Sequence, residues 1–270
     1  MSSRQSAARV SPMRNGLPLL DRVATRWVRE FPGPLLPIGG TRPILSVTFD
    51  DVPVSALTNG ARILEEHDAH GTFYAAGGLS GRCEDERTLL SAEGYAALAA
   101  RGHEIGCHTF SHASVRTLSA RRLADDLDRN AHYFGDISGG LVASNFAFPY
   151  AVASPQARHV LARRFRSCRG GHPGINRGAI DRGYLRAVEI RRQTTLDALT
   201  AWIDDMVGEP GWLILFTHDV SADPTMFGCT PETLERVIGR AKAHGCAVLT
   251  VDAALDELGL SAGIEAAQCR

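Results

Sequence analysis

Residues 44–51 read ILSVTFDD, a short apolar and β-branched run that ends in two adjacent aspartates. The run has no helical period and is bounded by polar residues, which predicts a strand buried on both faces, as in a parallel sheet. Downstream, the pattern alternates. A helix is expected over 55–68, then a strand at GTFYAA (71–76), a helix over 91–101 and a strand at HEIGC (103–107). The clearest amphipathic helix is Ser119–Phe134, with Ser119 as its cap. NFAFPY (145–150) reads as a strand, 155–164 as a helix and FRSCR (165–169) as a strand. A glycine-rich, aperiodic loop, GGHPGINRG, follows at 170–178. The remaining elements are a helix over 195–207, a very apolar strand WLILFTH (212–218), a helix over 231–244 capped by Thr230, and a strand AVLTV (247–251).

Strands alternating with helices predict βα units and a mostly parallel sheet. About seven such units suit a closed or nearly closed barrel better than an open doubly wound sheet. No GxGxxG follows the first strand, so a dinucleotide site has no support. Residues 1–40 hold Pro12, Pro18, Pro32, Pro34 and Pro37, and read as a surface extension with a short helix over 19–30. The expected organisation is an irregular N-terminal extension (1–40), one α/β domain (41–260) and a C-terminal tail (261–270).

The composition excludes several classes. With 29 basic and 30 acidic residues the formal net charge is −1, and such an overall balance gives no electrostatic case for nucleic acid or an anionic membrane. No apolar run reaches the roughly 18–20 residues that span a bilayer, and the N-terminus has no apolar stretch of the secretory kind. A cytoplasmic location is therefore the expectation. The cysteines lie at 83, 107, 168, 229, 246 and 269 with no CxxC spacing, so free thiols are expected rather than a zinc ribbon or redox pair. Oligomeric state is not legible.

In α/β barrels, catalysis sits at the C-terminal ends of the strands. Here those ends carry Asp50 and Asp51, then His108, Thr109 and His112, then Pro149 and Tyr150, then His218 and Asp219. On a continuing strand, neighbouring side chains diverge, so Asp50 and Asp51 reach one site only if the chain turns there. The bland alternative is one helix-capping acid and one solvated acid. His108 and His112 share a face on a helical turn, and an isolated pair of this kind is often structural. Two such features after separate strands argue for a joint site. Two imidazoles and one carboxylate leave positions open on a divalent metal, which catalysis requires. A second carboxylate can take a proton from metal-bound water, and His218 can protonate a leaving amine.

TFDD (48–51), HTFSH (108–112), FPY (148–150) and FTH (216–218), in this order, resemble the motifs of the polysaccharide deacetylases, the NodB-homology or carbohydrate esterase family 4 proteins. The resemblance extends over about residues 44–253 and includes GTFYAA and RGHEIGC. It implies a deformed (β/α)7 barrel that removes acyl groups, usually acetyl, from amino sugars. Under it, Asp50 matches the general base, and Asp51, His108 and His112 match the metal ligands. Tyr150 offers its backbone N–H to the oxyanion, and His218 matches the general acid. Thr109 is expected to brace the histidine turn by hydrogen bonding. A two-histidine, one-carboxylate set suits zinc, and cobalt, nickel, manganese or iron can also occupy it.

Two departures stand out. The family arginine two residues before the proline of the third motif is here Ala147, and Arg169 at the end of the next strand is the candidate replacement. The family's Asp–Trp motif is not evident. The glycine-rich loop stands about where it would fall, with His172 and Asn176 as candidate substrate contacts. Cys107 reads as a buried neighbour of His108. Three competing functions remain: the same fold on a non-sugar amide or formamide, an inactive glycan-binding barrel, and a non-haem iron oxygenase. The oxygenase would leave Asp50 without a task.

Overall fold

The computed structural model describes residues 18–39, 42–84 and 87–260. The extension expected before residue 41 is described from Pro18 and is regular there: helix α1 (Leu19–Glu30) and a short strand β1 (Leu35–Pro37). Residues 1–17 and the tail 261–270 lie outside the described residues.

The ILSVTFD segment forms β2 (Ile44–Asp50), buried at every position. The helix expected after it begins with a π-helical turn (Ala56–Ala61) that runs into α2 (Arg62–Glu66). Then come β3 (Thr72–Ala75), α3 (Ala92–Ala100), β4 (Glu104–Cys107), α4 (Ala120–Gly135), β5 (Asn145–Ala147), α5 (Pro155–Ala162) and β6 (Ser167–Arg169). Next are β7 (Ala179–Asp181), β8 (Val188–Glu189), α6 (Leu196–Gly208), β9 (Trp212–Thr217), α7 (Pro231–Ala243), β10 (Ala247–Val248) and α8 (Val251–Glu257). Ser119, Thr195, Thr230 and Thr250 each accept a backbone N–H three residues on, the usual N-cap bond.

The main sheet is parallel, in the order β6-β5-β4-β3-β2-β9-β8, with β10 also paired on β2. The segment around β8 joins its two ends. Val188 pairs with Leu215 of β9, while Leu185 bridges Arg169 of β6, so seven positions close on themselves as a deformed (β/α)7 barrel. Two expectations change. The strand expected over 247–251 stops at Val248, because Thr250 caps a helix whose Val251, Ala254 and Leu255 are all buried. Part of the connection after the glycine-rich loop is structured, since β7 pairs antiparallel with β1.

Alternate residues of β2 divide the core. Leu45, Val47 and Phe49 pack with Leu199, Ile203, Leu234 and Val237 of the outer helices. Ser46, Thr48 and Asp50 form the other set, and Ser46 Oγ accepts the indole N–H of Trp212 at 2.9 Å. Trp212 is thus a core residue at the barrel's base.

That base is polar where α8 plugs it. The half-buried Glu104 carboxylate accepts from Thr72 Oγ1 (2.8 Å), Asn145 Nδ2 (2.7 Å) and the Asp252 N–H at the start of α8 (2.9 Å). Burial outweighs these donors and pushes the Glu104 pKa up to about 7. A carboxyl whose folded pKa is raised stabilises the fold fully below its unfolded pKa and loses that contribution as pH rises through the folded one. The melting temperature is therefore expected to fall between about pH 4.5 and pH 7. Glu104→Gln, which stays neutral, is expected to flatten this slope in melts taken across that range. An unchanged slope would remove Glu104 as its source.

Candidate metal and catalytic site

The C-terminal strand ends open into a cavity of about 850 Å³ whose lining includes Asp50, Asp51, His108, His112, Tyr150 and His218. What aims these groups inward is backbone that the sequence does not advertise. Asp51 and Val52 have φ of 59° and 52°, Thr109 and His112 have 61° and 56°, and Tyr150 and Ala151 have 58° and 55°. Left-handed backbone at non-glycine residues costs energy and gathers at functional sites. Asp68 is the one other described non-glycine residue with positive φ. At the end of β2 this turn removes the strand's alternation, which is how Asp50 and Asp51 both come to line the cavity.

Asp51, His108 and His112 each present a ligand atom within 4.8 Å of the others. Ligands at about 2.0–2.1 Å from one ion reach comparable separations. Asp51 Oδ1 lies 3.0 Å from His112 Nε2 and 3.8 Å from His108 Nε2. It is buried without a hydrogen-bond partner among the described residues. The far ring nitrogens are engaged: His108 Nδ1 meets the Ala147 carbonyl at 2.9 Å, and His112 Nδ1 meets the Tyr150 hydroxyl at 3.1 Å. With Nδ1 donating to a carbonyl, His108 keeps its Nε2 lone pair for the cavity, the usual second-shell arrangement of a metal ligand. Burial lowers the His108 pKa to about 4, so the ring is neutral at pH 7. Burial works to raise the Asp51 pKa, but the imidazoles of His112, His218 and His108 outweigh it and hold the carboxylate well below its ordinary range. An orphaned buried carboxylate oxygen beside two imidazole nitrogens fits a divalent cation.

Asp50 is held separately. Arg169 Nη2 meets its two carboxylate oxygens at 2.5 and 2.6 Å. Arg169 is almost fully buried, with its guanidinium carbon 4.3 Å from the Phe216 ring centroid and 5.2 Å from that of Tyr74. The sheet register explains why it can stand in for an arginine at 147: Ala147 and Arg169 are direct partners across β5 and β6. Gly106 makes room for this stack, since a Cβ there would lie 2.3 Å from Tyr74. His218 Nε2 stands 3.8 Å from Asp51 Oδ2, and its Nδ1 faces the Phe227 carbonyl at 3.3 Å. Asp219 does not orient it; its carboxylate caps a loop by accepting from Thr225 N (2.9 Å) and Thr225 Oγ1 (2.5 Å). Pro149 opens a single 3-10 turn whose hydrogen bonds run from Ala151 N to Phe148 O and from Val152 N to Pro149 O, not from the Tyr150 amide.

Three expectations need correction. Thr109 does not brace the histidine turn, for its Oγ1 is buried without a hydrogen-bond partner among the described residues. The turn is held by Asp126 of α4, whose Oδ2 accepts from Phe110 N (2.7 Å) and Ser111 N (3.3 Å). Asn176 is not a substrate contact. It is buried, donates to the Arg186 and Trp212 carbonyls, and accepts from Arg186 N, tying the glycine-rich loop to the base of β9. His172 lines a different cavity, of about 350 Å³, with residues of α1, β1 and β7. Gly171 is the part of that loop that lines the site. Cys107 is buried, as expected, and receives Asn130 Nδ2 on its sulfur at 3.2 Å. No motif or period marks Arg87, which donates to Asp51 Oδ2 at 2.9 Å and to Glu84 at 2.7 Å.

The polysaccharide deacetylase family model matches residues 39–164, which carry the Asp50–Asp51 and His108–His112 motifs. Over that stretch the chain is similar to the polysaccharide deacetylase family. A curated relative, a chitin deacetylase from Pestalotiopsis sp, is 29% identical over 82 residues. That match spans 30% of this chain and 26% of the relative, so the chain aligns with about a quarter of that protein's length. Among solved structures, a family 4 acetyl xylan esterase from Clostridium thermocellum with a cobalt ion is similar at a TM-score of 0.57 and 23% identity, covering 79% of this chain and 90% of that one. A family 4 carbohydrate esterase from Streptomyces lividans, in complex with acetate, gives 0.54 and 15%, covering 78% and 93%. A family 4 pseudoenzyme from Bacillus anthracis gives 0.56 and 17%, covering 84% and 70%. At these identities the structural likeness establishes the barrel fold of the polysaccharide deacetylases. No helix among the described residues is long and apolar enough to cross a membrane.

Proposed function

We propose that this chain is a metal-dependent hydrolase that removes an N-acyl group, acetyl first of all, from an amino-sugar substrate. The observation that carries the reading is the division of labour between neighbours: Asp51 Oδ1 faces two imidazole nitrogens, while Asp50 is held apart by Arg169. A divalent ion on Asp51, His108 and His112 would polarise the acyl oxygen and bring the pKa of bound water down to about 7. Zinc suits this donor set, and cobalt, nickel, manganese or iron can substitute. Asp50 takes the proton of the attacking water, with Arg169 holding its carboxylate in place. The Tyr150 backbone N–H donates to the oxygen on which negative charge develops. His218 protonates the departing amine from its Nε2.

Asp50 also separates this reading from the oxygenase alternative, which has no use for a second, arginine-held carboxylate. The test is acetate release from a panel of N-acetylated sugars and small amides, with metal added and oxygen excluded. Release from the sugars that falls roughly 10²- to 10⁴-fold in His218→Gln supports the proposal. Turnover confined to non-sugar amides would move the substrate class. Glycan binding without turnover, in metal-loaded protein, would make the barrel a binding module.

A further inference from the structure

The outer face of α1 is apolar where a surface helix is normally polar. Leu19, Val23, Trp27 and Phe31 recur at every fourth position, with Leu20 beside them, and each is between 45% and 70% exposed. At 100° per residue these five side chains fall within one arc of about 120°. The opposite face is anchored: Val28 is buried, Thr25 Oγ1 bonds the Ala153 backbone, and Asp21 pairs with Arg116. The apolar arc is therefore presented by a fixed helix. Arg22 and Arg26, both exposed, run along one side of the arc, followed by Arg29. Of the helix's two acids, Asp21 is held by Arg116 and Glu30 by Arg29, so the exposed flank is positive.

We infer that α1 is an interfacial helix that lays this chain on an anionic lipid surface. Leucine, valine, tryptophan and phenylalanine on one face with arginines beside them is the composition of helices that lie in the headgroup layer. At 12 residues, α1 is about 18 Å long, too short to span and suited to lying in the plane. Charge favours lipid over a second copy of the chain. A symmetric pair of these stripes would bring two arginine flanks together, whereas anionic headgroups neutralise them. Arg22 and Thr25 also line the catalytic cavity, so docking through α1 sets the cavity's rim at the lipid surface.

The experiment is co-sedimentation of the full chain with vesicles of phosphatidylcholine and phosphatidylglycerol in equal parts, beside vesicles of phosphatidylcholine alone. Wild type is expected to bind the anionic vesicles about tenfold more tightly than the neutral ones, and less tightly at high salt. Val23→Asp with Trp27→Asp is expected to lower binding at least about tenfold. Because both positions are exposed, its circular dichroism and melting temperature should match wild type. Arg26→Glu should weaken binding to the anionic vesicles alone. The inference is overturned if wild type pellets with neither vesicle, or if the double variant binds as wild type does. A dimer in sedimentation equilibrium that the double variant splits, without vesicle binding, would assign the stripe to a subunit interface and overturn it too.

Discussion

Asp50→Asn is expected to bind metal at the wild-type stoichiometry and to lose about 10²- to 10⁴-fold in kcat, the range for removing a general base. The expectation follows from the separation of the two aspartates. Asp51 carries the contacts to His112, His108 and Arg87, so neutralising its neighbour leaves the ligand set in place. Asparagine keeps an acceptor for Arg169 but cannot take a proton. Metal content by elemental analysis and turnover on one preparation check both halves. Loss of metal together with activity would show that Asp50 is part of the ligand set. Unchanged turnover would remove it from the reaction.

Arg169→Leu is expected to have the largest effect on the fold. It leaves the Asp50 carboxylate buried without its cation, a change that typically costs about 3–5 kcal/mol. Denaturant unfolding reads this directly. Turnover should fall as well, because the base loses the group that aims it. Ala147→Arg placed in the Arg169→Leu background tests whether position, rather than residue number, is what matters. The two residues are cross-strand partners, so an arginine from β5 should recover part of the lost kcat. A double variant no better than Arg169→Leu would mean that the Tyr74–Phe216 stack around Arg169, and not its side of the sheet, sets the geometry.

How much was legible depends on the kind of signal. ILSVTFD and WLILFT read as strands because both are buried along their whole length and hence continuously apolar. The closing strand was missed because β8 is two residues long and reaches the sheet's two ends through Leu185 and Val188, which no periodicity marks. Asp51, His108 and His112 were legible from type and position at strand ends, and Arg169 from its place beside Ala147. The left-handed turns that aim several of these residues were not, since aspartate, threonine, histidine and tyrosine carry no mark of positive φ. Asp126 could have been found, because it is an acid on the buried face of α4 between Leu123 and Asn130. Arg87 could not: it arrives from an irregular loop. Asn176 misled because a glycine-rich loop suggests contact with substrate, whereas its amide is spent on the backbone of Arg186 and Trp212.

The proposed function stands or falls on Asp51, His108 and His112 holding one metal. The most direct test is equilibrium binding of zinc to the chelator-treated full chain, by calorimetry, beside Asp51→Asn and His112→Ala, with turnover measured on the same samples. One metal per chain is predicted for wild type, with activity restored in proportion to occupancy. Both variants are predicted to lose metal and turnover together. Full activity in the metal-free chain, or one metal still bound in both variants, would contradict the claim.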